Sequence, residues 1–191
     1  MTHNILFRSA LVVIVGMLMP CSNGCSMYSP TPKYFEHSRT RLKVELPANW
    51  LRYNQSLPTW VLTRDGLQLE VIAISSIRVG DKIKNTERRY QAGMLPYEIA
   101  ELSLAILKTR DDVNDLKIEK IELATVAGRE GYGATAGFVD ALGLAKKLWL
   151  FGAMIDGYVC EFCFIAEESV YFEKYRGAFE RLVQSSQTQK K

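Results

Sequence analysis

The stretch "KKLWLFGAMI" (Lys146–Ile155) carries Leu148, Leu150 and Met154 on one set of alternate positions and Trp149, Phe151 and Ile155 on the other. Successive side chains of a strand point to opposite faces, so a strand apolar on both sets is one that is covered on both sides. Lys146–Ile155 is therefore predicted to be an interior strand of a sheet sandwiched between two layers. In a chain of 191 residues those layers must be helices, or one helix layer and one layer of connecting chain.

Working outward, "KIEKIELATV" and "REGYGATAGFV" precede this strand and "GYVCEFCFIA" follows it, which predicts four consecutive strands. Further upstream, "RLKVELP" alternates Leu42, Val44 and Leu46 with charged residues and is closed by Pro47, as a half-buried strand would be. "TWVLT" and "LQLEVIAIS" flank Arg64-Asp65-Gly66, a hairpin signal, so three antiparallel strands are expected here. "PYEIAELSLAILKTR" places Ile99, Leu102, Ile106 and Leu107 on one helical face and predicts a helix over Pro96–Arg110. Near the end, "VYFEKYRGAFERLV" lines up Tyr171, Tyr175, Phe179 and Leu182 as a second amphipathic helix. The fold class is thus α+β: an antiparallel sheet of about six to seven strands flanked by helices.

The N-terminus reads differently. A polar start with Arg8 leads into the uncharged run Ala10–Met19 and then "LMPCSNGCS" (Leu18–Ser26). The run is shorter than the ~20 apolar residues a spanning helix needs, so residues 1–24 read as an export signal, with a single-span anchor as the lesser alternative. "LMPCSNGCS" resembles the lipobox of bacterial lipoproteins, in which a small residue precedes a cysteine that is acylated and becomes the new N-terminus. Cys25 has Gly24 before it but Ser22 at the aliphatic position, whereas Cys21 has Leu18 there but Pro20 before it. Cleavage before Cys25 also suits an ordinary signal peptide, which would leave a secreted or periplasmic product. Serine after the cysteine resembles sorting to the outer membrane. Residues 25–40, with Pro30 and Pro32 among polar residues, are expected to be a flexible tether. One domain over 41–186 and a frayed polar tail at 187–191 complete the division.

With 48% hydrophobic and 24% charged residues the chain can build one core. Its net charge of +3, or +2 once residues 1–24 are set aside, is too weak a field to imply nucleic acid. The charge is uneven, however. Arg78, Lys82, Lys84, Arg88 and Arg89 face only Asp81 and Glu87 between Arg78 and Leu95, a stretch without clear period. It reads either as a contact for anionic lipid or an acidic partner, or as a solvated linker.

Motifs that carry chemistry are weak throughout. "CEFC" (Cys160–Cys163) has dithiol spacing but lies mid-strand, where residues three apart point to opposite faces. "GREGYGAT" (Gly128–Thr135) has the glycine spacing of a phosphate loop with Ala134 where the lysine belongs, and hairpin or bulge glycines account for it better. "DDVND" lacks the register of a calcium loop and is expected to be turn chemistry. After export His37 is the one remaining histidine, which argues against histidine-based triads and metal centres. No metal or cofactor is implied. An envelope hydrolase using carboxylates, or a thiol enzyme using Cys160 and Cys163, stays open as the catalytic alternative.

Three short motifs carry a resemblance: Leu46, Pro47 and Trp50 in "ELPANW", Val126, Gly128, Arg129 and Tyr132 in "LATVAGREGY", and Phe172, Phe179 and Val183 in the closing helix. In this order the chain resembles the PsbP-like group, which includes the extrinsic PsbP protein of photosystem II, a Ran-binding import factor and many bacterial lipoproteins. The resemblance implies an antiparallel sheet flanked by helices and an adaptor or accessory role, and it offers no shared catalytic set to carry over. The expectation is an exported bacterial envelope lipoprotein, held to the outer membrane by an N-terminal lipid and facing the periplasm, with a protein or envelope component as partner.

Overall fold

A computed structural model describes residues 27–189 except 57 and 85. Both cysteines that are candidates for acylation, and the export signal, lie outside the described residues. The four expected long strands are present: β7 (Val113–Val126), β8 (Arg129–Asp140), β9 (Ala145–Ile155) and β10 (Tyr158–Glu167). They extend a sheet begun by β1 (Tyr28–Pro30), β4 (Leu51–Tyr53), β5 (Trp60–Thr63) and β6 (Glu70–Arg78), in the order β1-β4-β5-β6-β10-β9-β8-β7, antiparallel throughout. A second sheet of three strands comprises β2 (Tyr34–His37), β3 (Leu42–Glu45) and β11 (Gln187–Thr188). Helices α1 (Pro96–Leu107) and α2 (Tyr171–Ser185) complete the structure.

β9 is covered on both faces, as its sequence requires. Leu148 and Leu150 pack into the cluster under α1, with Ile99, Ala100 and Leu104. Trp149 and Phe151 pack on the cluster under α2 and the small sheet, with Phe164, Phe172 and Phe179. Phe164 stacks on Phe172 and Phe179 at 5.3 and 5.4 Å between centroids, a geometry that adds to plain area burial. Two-residue turns with both φ values positive join the long strands: Ala127-Gly128 (51° and 74°) and Asp156-Gly157 (47° and 78°). They match the strand twist as primed hairpin turns do. Gly128 thus turns a hairpin and Gly131 and Gly133 lie inside β8, which removes the phosphate-loop reading of "GREGYGAT".

Four features depart from the sequence reading. The tether expected over 25–40 is folded from residue 28: β1 pairs with β4, β2 pairs with β3, and Phe35 is 6% exposed with its ring against Trp60 at 5.1 Å. The prolines misled because Pro30 sits in an edge strand, where a missing N–H costs no ladder bond. The tail expected to fray pairs through Gln187 and Thr188 with β3. "RLKVELP" joins the small sheet instead of the hairpin after it; its expected place beside β5 is taken by three-residue β4. Finally, α1 stops at Leu107, and Arg110 instead clasps Asp112 through two hydrogen bonds of 2.9 and 2.6 Å, while Asp115, at φ 52°, lies where the β7 register shifts.

Phe35 distinguishes a fold that begins at residue 28 from one that begins at residue 41. Phe35→Ala is expected to lower unfolding free energy by about 3–4 kcal/mol in a urea titration; a change below ~0.5 kcal/mol would place Phe35 on a tether.

Candidate functional site

Three places bear on function: a half-buried carboxyl row under α1, the pair of cysteines in β10, and the cationic end of the main sheet.

The carboxyl row follows from register. Tyr132 on β8, Gly152 on β9 and Glu161 on β10 are successive partners across the sheet. Gly152 has no side chain, so the Tyr132 ring lies across it and its hydroxyl donates to Glu161 Oε1. From α1, Ser103 Oγ approaches the same oxygen at 2.5 Å and Tyr90 Oη at 2.9 Å. The serine hydroxyl also faces the Ile99 carbonyl at 2.8 Å, so it has one proton for two acceptors. A protonated Glu161 resolves the conflict by donating to Ser103, which then donates to Ile99. Burial, the largest influence, raises the Glu161 pKa, and the three hydroxyls oppose it. Burial likewise pushes the Tyr90 and Tyr132 hydroxyls up, and Glu161 reinforces this once it is ionised. A pocket of about 170 Å³ lies alongside, lined by Met94, Pro96, Ile99, Tyr132 and Met154 among others. The row thus ties α1 and the loop before it to two strands, β8 and β10, across Gly152 of β9. Sequence reading missed it, although a lone glutamate in a strand otherwise apolar on both faces was its signal.

Cys160 and Cys163 are both free and lie on opposite faces of β10. Cys160 sits with Phe162 and Phe164 and accepts a 3.4 Å hydrogen bond from Ser76 Oγ. Burial raises its pKa, and burial pushes the Cys163 thiol up to about 12. A dithiol needs a shared face and a thiolate, and this strand offers neither. Elsewhere, buried Lys146 is held by the Gln68 carbonyl and by Asp140 at 3.4 Å, and Glu70 Oε1 accepts the Arg64 and Asp65 amides at 2.6 and 2.7 Å to cap the β5–β6 turn. Among the described residues no cluster of three or more His, Cys, Asp and Glu is placed to hold a metal ion.

The stretch after β6 is a built loop. Ile83 and Tyr90 are buried at 6% and 1% exposure, Val79 donates to the Gly157 carbonyl, and Gly80 donates to the Tyr90 carbonyl. Its cations stay outside. Lys82 pairs with Glu87 at 2.6 Å and Arg89 donates to the Gly80 carbonyl at 3.0 Å. Arg78, Lys84 and Arg88 are exposed and form no ion pair among the described residues. From the β2–β3 turn, Arg39 reaches the same end by donating to Tyr158 Oη at 2.9 Å. Among the described residues no helix is long and apolar enough to cross a membrane.

No family model and no curated protein matches the sequence. Solved structures do match in shape. A cyanobacterial PsbP (CyanoP) from Synechocystis sp. PCC 6803 superposes with a TM-score of 0.58 at 10% identity, over 91% of this chain and 100% of that one. The Saccharomyces cerevisiae Ran-binding protein Mog1p gives 0.53 at 8% identity over 84% and 96%, respectively. LpqN of Mycobacterium tuberculosis, described as involved in cell envelope biogenesis, gives 0.53 at 12% identity over 84% and 90%. The chain therefore has the PsbP-like fold, an α+β architecture, and at such identities the likeness speaks for fold alone.

Two tests probe the carboxyl row. A Cβ at Gly152 would stand 2.5 Å from Tyr132 Oη, so Gly152→Ala is expected to displace the ring from Glu161 and lower stability by about 2–4 kcal/mol; an unchanged urea midpoint would contradict the row. Because folding raises the Glu161 pKa above its ordinary 4.5, the folded chain keeps a proton that the unfolded chain has lost. That contribution to stability is complete below pH 4.5 and fades as pH rises through the folded value. Glu161→Gln is expected to remove this part of the pH slope; an unaltered slope would assign it elsewhere.

Proposed function

We propose that the protein is an exported bacterial envelope lipoprotein, acylated at Cys25 or alternatively at Cys21, whose domain binds a protein or envelope component without catalysis. The observation that carries the proposal is the position of the first strand. The Met27 carbonyl accepts the Asn54 amide at 2.9 Å and β1 starts at Tyr28, directly after the apolar run and its two cysteines. An acyl group on Cys25 would thus hold a folded domain at the bilayer surface with one residue, Ser26, in between. Ser26 favours the outer membrane, with the domain in the periplasm. A binding role is supported by the fold, which is shared with a Ran-binding protein and with a protein of cell envelope biogenesis. It also suits a domain whose half-buried Glu161 and buried Glu70 and Lys146 are engaged in holding its own elements together.

Intact mass of the protein extracted from its native membranes tests the anchor. A chain beginning at Cys25 with a diacyl or triacyl addition is expected, and Cys25→Ser is expected to abolish it; a chain beginning at Cys21 would move the anchor, and an unmodified chain would overturn the proposal.

A further inference from the structure

We infer that the end of the domain from which the N-terminal segment departs is a docking surface for the anionic headgroups of a lipid bilayer. Strand direction leads to it. β1 is antiparallel to β4, β4 to β5 and β5 to β6, so β1 runs opposite to β6. The chain preceding Tyr28 therefore leaves toward the end at which β6 finishes with Arg78, where the cationic loop begins. At that end the five loop cations, joined by Arg39 and Arg41 of the β2–β3 turn, stand against four carboxylates: Asp81, Glu87, Asp156 and Glu98, the last at the start of α1 beside Arg88 and Arg89. Arg129 and Glu130 at the β7–β8 turn offset each other. The opposite end reverses the sign more weakly: Asp111, Asp112, Asp140, Glu167 and Glu168 gather where β7 and β9 start and β8 and β10 finish, against Lys108, Arg110 and Lys146, of which Arg110 pairs with Asp112 and Lys146 with Asp140. A weakly charged molecule thus carries its charge as an end-to-end asymmetry, which orients it in the field of an anionic surface.

Reach selects a bilayer as the occupant. Two residue steps from Met27 to Cys25 span at most ~7 Å, comparable to the ~8 Å over which charges act at physiological ionic strength. Register puts Tyr28 level with Tyr53, Val61 and Ala73, so Met27 lies about four residues, ~13 Å, short of Arg78. With Cys25 as the anchor the sheet leans toward its β1 edge to set the loop on the headgroups; with Cys21, four more residues let it stand upright. The inference rests on the acylated anchor only for proximity. The charge asymmetry stands without it.

The test uses the full chain purified from native membranes and reconstituted into vesicles of phosphatidylcholine, with or without 30 mol% phosphatidylglycerol as an anionic arm chosen at roughly physiological charge. An uncharged acylating reagent, read by mass spectrometry, compares Lys84 with Lys117, an exposed lysine of β7 away from the cationic end. On anionic vesicles Lys84 is expected to react about fivefold more slowly relative to Lys117 than on neutral ones, since each cation near such a surface contributes roughly a fivefold factor in binding. High salt, or the double variant R78Q/R88Q, is expected to restore the ratio. An equal ratio on both vesicles overturns the inference, including in favour of an acidic protein partner. Intact mass on the same sample separates the two proposals: acylated chains with unprotected Lys84 refute the docking, and unmodified chains with protected Lys84 refute the anchor.

Discussion

Everything in this domain answers to one constraint: its central strands are apolar on both faces and must be kept from water on both. β9 presents Leu148 and Leu150 to one side and Trp149 and Phe151 to the other, and β10 does the same with Val159 and Cys163 against Phe162 and Phe164. Burying a Phe or Leu side chain contributes about 1.5–3 kcal/mol, so neither face can stay bare. One helix serves each face, but α2 packs mainly on β10, β6 and β3. The rest of its layer is a small sheet assembled from residues 34–45 and the C-terminal Gln187–Thr188.

That division of labour explains what was legible in the sequence. Long strands and helices bury enough side chains to impose a period, and β7 to β10, α1 and α2 were read from theirs. The covering strands are short. Leu51–Tyr53 has three residues and no alternation to detect, while Tyr34–His37 buries only Phe35 outright. What places them is their partner, and partners distant in sequence leave no local mark. Composition then misleads, because Pro30 and Pro32 suggest a linker, although a proline in an edge strand is compatible with pairing. The resemblance to the PsbP-like group, carried by short motifs around Trp50, Tyr132 and Phe179, identified the architecture better than these local readings did.

The candidate sites divide in the same way. The cations from Arg78 to Arg89 were visible as residues, yet not as one end of a molecule joined by Arg39, since that depends on Tyr158 receiving its hydrogen bond. The carboxyl row was invisible as a site because Tyr90, Ser103, Tyr132 and Glu161 come from four separate elements or loops. Gly152 brings two of them together by having no side chain. Cysteines at positions 160 and 163, conspicuous in sequence, are separated by the sheet itself and kept as thiols by burial.

Because residues 28–37 help to cover the core, the domain begins directly beside the cysteines that precede it, and its distance from any membrane anchor follows from that. Amide hydrogen exchange over residues 28–37 of the native chain tests this claim directly. Ladder pairing of β1 with β4 and of β2 with β3 is expected to slow the amides that face those partners by at least ~100-fold relative to free peptide, toward the protection of β3. Exchange at free-peptide rates throughout 28–37 would contradict it, restoring a tether and removing the geometric basis for a domain held against the bilayer.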